Sequence, residues 1–137
     1  MLNKHTEKNT IDLDIINECD FLEFGKYLRA VRQAKGVSIR ELAKDVNKTP
    51  TYLSDIENGH NKPPEKDLLE KIILRLGVNN TPNIRTKLFD LAAKGRNDLP
   101  ADVKEYIMGN QLIVQVIRAT KDKPDSNQIW TNIAQSL

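Results

Sequence analysis

The chain has 137 residues, a formal net charge of +2, 29% charged side chains and only 5% aromatic ones. That length suits one compact helical domain with an appendage and excludes two large independent domains. No apolar run approaches the ~20 residues that cross a bilayer, "MLNKHTEKNT" lacks the apolar core of a secretory signal, and a single cysteine, Cys19, with His5 and His60 offers neither an internal disulfide nor zinc-ligand spacing. The expectations are a cytoplasmic location, no membrane contact, no metal and no cofactor.

Charge is unevenly spread. Residues 1–20 carry two Lys against five acids, residues 21–78 eleven Lys/Arg against eight acids, and residues 79–137 eight against six. The basic excess in the middle is too small to argue for a nucleic-acid partner, because mixed charge is what any solvated helical surface shows. Geometry must carry that case.

In chain order, residues 1–19 read as a tail. Asp20 with Glu23 forms a candidate capping box, opening a helix whose inner face is Phe21, Phe24, Leu28 and Val31 and which ends at Gly36. Ser38 and Glu41 make an S-x-x-E capping box for a second helix reaching about Val46. Thr49 followed by Pro50 starts a third that runs to Asn58. Only Asn47 and Lys48 separate these two helices, and asparagine is, after glycine, the residue that most readily accepts the positive φ such a junction needs. Ala43 permits close approach, while Leu42, Val46, Leu53 and Ile56 face a shared interior. The pattern is a helix-turn-helix, whose second helix can enter a DNA major groove.

A fourth helix runs from about Glu65 to Leu76, entered through Pro63 and Pro64, with Leu68, Leu69, Ile72, Ile73 and Leu76 as a broad apolar stripe. The glycines Gly36, Gly59, Gly77, Gly95 and Gly109 each come after such a pattern and are expected as left-handed C-terminal caps. Beyond the turn "NNTPN", four further helices are predicted from the apolar spacings at Ile84, Leu88 and Leu91; at Val103, Tyr106 and Ile107; at Leu112, Ile113, Val116 and Ile117; and at Ile129, Trp130, Ile133 and Leu137. Nothing reads as a strand or an internal repeat.

From about Phe24 to Val78 the chain resembles the lambda-repressor/Cro-like (XRE) family of DNA-binding domains, through "SIRELAKDV", "TPTYLSDIENG" and "LLEKIILRLGV" in order. The resemblance implies an all-α fold with five helices, the second and third forming the reading motif, and a domain layout of tail 1–19, DNA-binding domain 20–78 and helical C-terminal region 79–137. It implies that Thr51, Tyr52, Ser54 and Asp55 meet base edges, and that Glu57 pairs with Arg32 to hold the first helix to the third. Arg40, Lys48, His60, Asn61 and Lys62 flank the motif and suit phosphate contacts, helped by backbone N–H groups at the helix starts marked by Ser38 and Thr49. Three positions depart from the family: Ile39 replaces a frequent phosphate-binding glutamine, Lys48 stands at a usually apolar turn position, and Asp55 stands where an amide or basic side chain often reads bases. Lys48 can still bury its stem and send its ammonium outward.

The segment "FDLAAKGRNDLPADVKEYI" resembles, less specifically, the region after the DNA-binding domain in regulators of bacterial mobile elements. No Ala-Gly dipeptide, the cleavage point of self-cleaving phage repressors, is present. No residue pattern supports an enzyme. The leading expectation is a homodimeric transcriptional repressor of a phage or other mobile element, bound to double-stranded DNA at an inverted-repeat operator and dimerising through Ile129, Trp130 and Ile133. The alternative is an antitoxin whose C-terminal segment holds a toxin while it represses its own operon. A protein antirepressor is a further possible partner, and an interaction module that has lost DNA binding is a third reading.

Overall fold

The computed structural model describes residues 23–137, which form eight α-helices and, among the described residues, no strand. They are α1 (Phe24–Ala34), α2 (Ile39–Asp45), α3 (Pro50–Glu57), α4 (Lys66–Leu76), α5 (Pro82–Gly95), α6 (Ala101–Met108), α7 (Gln111–Lys121) and α8 (Ser126–Ser136). His5, Cys19, Asp20 and Phe21 lie outside the described residues. No helix among those described is long and apolar enough to cross a membrane.

The chain divides into two compact units, the first closing at Ala101 and the second spanning 102–137. The described residues of the first unit form five helices around one core. Leu28 and Val31 of α1, Leu42 of α2, Leu53 and Ile56 of α3, and Leu69, Ile72 and Ile73 of α4 are buried in it, as the helical spacing requires. The fifth helix is α5, which packs on α1 and sends Ile84, Leu88, Phe89 and Leu91 into the same core. The compact domain therefore extends beyond Val78, where the sequence reading placed its end. The turn "NNTPN" is the reversal that brings α5 back onto α1.

Ion pairs between helices tie the surface of this bundle. Arg75 of α4 donates to Asp45 of α2. Arg85 of α5 grips Glu70 of α4 with both terminal nitrogens, one at 2.8 Å, and this bonding holds the Glu70 carboxyl below its usual range. Another, at Glu57, belongs to the reading motif. Tyr27 is buried beneath the Lys87 ammonium, which lies 5.2 Å from its ring centroid, and burial pushes its phenol up to about 12.

Two local expectations are corrected. Glu23 is not the third residue of a capping box: it is itself the N-cap of α1, with extended φ −120° and ψ 136° and no side-chain cap bond. Gly36, Gly59 and Gly77 do adopt positive φ, but Gly95 and Gly109 do not. After α5 the left-handed residue is Asn97, φ 55°. Gly95 instead keeps its helical conformation and makes room for a neighbour, because a Cβ there would lie 2.7 Å from Pro63 Cγ.

The second unit contains α7 packed on α8, with most of α6. Asn110 caps α7 by accepting from the Leu112 N–H at 3.1 Å. Near its end the Thr120 hydroxyl donates to the Val116 and Ile117 carbonyls, and Thr120 is the one buried side chain on these three helices. Their apolar residues are half-buried or exposed: Ile129 is half-buried, while Leu112, Trp130 and Ile133 are exposed.

Candidate nucleic-acid interface

The reading motif is built by local chemistry at both ends of each short helix. The Ser38 hydroxyl accepts the Glu41 N–H at 3.1 Å and the Glu41 carboxylate accepts the Ser38 N–H, a reciprocal box that fixes the start of α2. Asn47 at φ 59° makes the sharp junction. The Thr49 hydroxyl accepts the Tyr52 N–H at 3.1 Å, Pro50 fills the first turn, and α3 begins. Ala43 is fully buried, so α2 and α3 pack closely.

The far end of α3 is held by α1. Glu57, with a side chain 1% exposed, accepts from Arg32 Nε at 2.7 Å and a second Arg32 nitrogen at 2.9 Å, and also from Arg29 Nε at 3.2 Å. Arg32 donates besides to the Val37 carbonyl at 2.9 Å, and Arg29 to the Asn58 side chain. Arg29 is the member of this cluster that the sequence does not disclose. Gly25 completes the contact: a Cβ there would lie 2.5 Å from the Glu57 carbonyl oxygen, so only glycine lets the start of α1 abut the end of α3. The juxtaposition also sets the positive end of one helix dipole against the negative end of another.

Locked in this way, α3 presents Thr51, Ser54, Asp55 and Asn58 at helical spacing. Thr51 and Asn58 are exposed, Ser54 and Asp55 half-buried. Tyr52 lies at the edge of this stripe, packed in part against the core, with the Lys48 ammonium 5.3 Å from its ring centroid. Asp55 stands 3.9 Å from His60 Nδ1, an ion pair when the imidazole is protonated, and its backbone carbonyl accepts the His60 and Asn61 N–H groups. Ile39 spends its side chain on packing against the core.

The candidate phosphate ligands Ser38, Arg40, Lys48, Thr49, His60, Asn61 and Lys62 are all exposed at the surface. They fall into two groups on either side of α3: the α2 start and the turn at one end, the loop after α3 at the other. Lys44 is also exposed and sits one helical turn beyond Arg40, a spacing in the sequence that would have found it.

A short helix exposing a polar stripe, pinned at both ends and bordered by cations, defines a helix-turn-helix domain, and the five described helices of the first unit have the arrangement of the lambda-repressor-like class. Residues 28–79 match the helix-turn-helix family model, and this part of the chain is a domain of that family. The chain is 29% identical over 101 residues to the HTH-type transcriptional regulator SlrR of Bacillus subtilis (strain 168), an alignment covering 74% of this chain. It spans 61% of the length of that relative. No solved structure matches significantly.

Proposed function

We propose that the protein is a sequence-specific DNA-binding transcriptional regulator that acts as a dimeric repressor. The observation that carries this reading is the immobilised α3, whose outward stripe is backed on its inner side by the buried Glu57 cluster. A recognition helix must hold its register to read base edges, and rigid anchoring away from the DNA supplies that. The SlrR relative is a transcriptional regulator by its description, which agrees with the reading. Its placement in a phage or other mobile element rests on the resemblance of residues 89–107 alone.

Dimerisation through the second unit has a physical argument of its own. Its helices bury no apolar side chain, so they lack the core that stabilises a small domain. Residues 106–117 and 126–137 contain no charged side chain at all, in a chain that is 29% charged. Near a two-fold axis a charge would meet its own copy, so a neutral apolar surface around Trp130 and Ile133 suits self-association.

If α3 enters the groove while Lys62 meets a phosphate, Lys62→Ala weakens binding to every sequence alike and lowers the salt slope by about one. Substitution of Thr51 changes base preference instead. Titrations of two operators at several salt concentrations separate these effects. Unchanged preference in every variant at Thr51, Tyr52 and Asp55 rejects the assignment of the reading face.

A further inference from the structure

An open cleft of about 670 Å³ lies in the first unit between the start of α1, the loop following α3 and the last turn of α5. Phe24 and Gly25 form one wall, Gly59–Pro63 the second, and Leu91, Lys94 and Gly95 the third. We propose that Lys94, outside the helix-turn-helix, is a further DNA-backbone ligand that works with Lys62 across this cleft. The proposal rests on the DNA-binding reading above.

Lys94 stands apart from the other cations of its helix. Arg85 is committed to Glu70 and the Lys87 ammonium lies over the Tyr27 ring. Just beyond the helix, Arg96 donates to the Pro64 carbonyl at 2.9 Å. Lys94 is exposed and, like Lys62, makes no ion pair among the described residues. Of the two acids that reach the cleft, Glu57 is held by Arg29 and Arg32, while Glu23 makes an exposed pair with Lys26 at 3.6 Å. The charges of the cleft that enter no ion pair among the described residues are Lys62 and Lys94, and the His60 imidazole lines the cleft with them. Two unpaired ammonium groups on the walls of one cleft both attract an anion placed between them.

Position identifies the anion. The loop forming the second wall leaves the end of α3, so when α3 lies in a major groove this cleft borders the phosphates of the groove edge. The end of α5 is fastened to the same loop twice, by Gly95 against Pro63 and by Arg96 on the Pro64 carbonyl. The backbone carrying Lys94 is therefore held beside the loop that carries Lys62. A lysine is a compact point charge that suits a phosphodiester oxygen without demanding bidentate geometry.

The test is a titration of the full chain and its Lys94→Gln variant with an operator duplex and an unrelated duplex over a range of salt. The expected result is a slope of log affinity against log salt reduced by about one unit, with the loss equal on both duplexes. Lys71→Gln, at an exposed lysine of α4 that does not line the cleft, is expected to leave the slope unchanged. An unchanged slope in Lys94→Gln beside a reduced slope in Lys62→Gln overturns the proposal while leaving DNA binding intact. Equal losses in Lys94→Gln and Lys71→Gln overturn it as a mere effect of net charge. A parent chain that binds neither duplex at any salt removes both this proposal and the reading beneath it.

Discussion

Replacing Glu57 by alanine is expected to cost about 3–5 kcal/mol of stability, because it strips the carboxylate from a buried cluster and leaves Arg32 without its counter-charge. The Arg32 side chain is 11% exposed, so water reaches it poorly once Glu57 is gone. For a domain of this size, such a loss lowers the melting temperature by more than ~10 °C. Arg29→Ala provides the contrast. That side chain is 42% exposed, and removing it still leaves Glu57 paired with Arg32, so a cost below about 1 kcal/mol is expected. Denaturant midpoints of the two variants measure both. A near-zero change in Glu57→Ala would mean that α1 does not anchor the end of α3 through this carboxylate.

A chain ended at Ala101 is expected to fold, to remain monomeric, and to bind its operator about 10²–10⁴-fold more weakly than the full chain. It keeps every helix of the five-helix core and loses only the unit whose apolar side chains are not buried. Without a second copy, one recognition helix reads a few base pairs and the two half-sites no longer reinforce each other. Ending the chain at Val78 would be a poor experiment, because it removes Ile84, Leu88 and Phe89 from the core. Sedimentation together with an operator titration decides the matter. If the shortened chain dimerises and binds as tightly as its parent, residues 102–137 serve another purpose, and the toxin-holding alternative gains weight.

The features legible in the sequence are those that local chemistry determines. Ser38 with Glu41, Thr49 with Pro50, and Asn47 between them act within one or two helical turns, so the α2–α3 junction can be read from neighbours alone. Glycine at a helix end is a local signal too, and it serves at Gly77 but misleads at Gly95, where the deciding neighbour, Pro63, is 32 residues away. Glu23 shows the same weakness: an acid three residues after an aspartate fits a capping box on paper, yet the helix begins one residue later than that acid. The domain end at Val78 follows the extent of the family resemblance, whereas the return of α5 onto α1 is a tertiary event. Arg29 and Lys94 were invisible for that reason. Each acquires its surroundings from chain segments about 30 residues distant, and neither carries a motif of its own.

The most direct measurement of the central claim is selection of DNA by the full chain from a random pool, followed by sequencing of the bound fragments. The expected result is enrichment of an inverted repeat whose half-sites are centred about 34 Å apart, one helical turn, with retention falling steeply as salt rises. Fragments recovered without any shared sequence, or no retention above that of the Lys62→Ala variant, would contradict it.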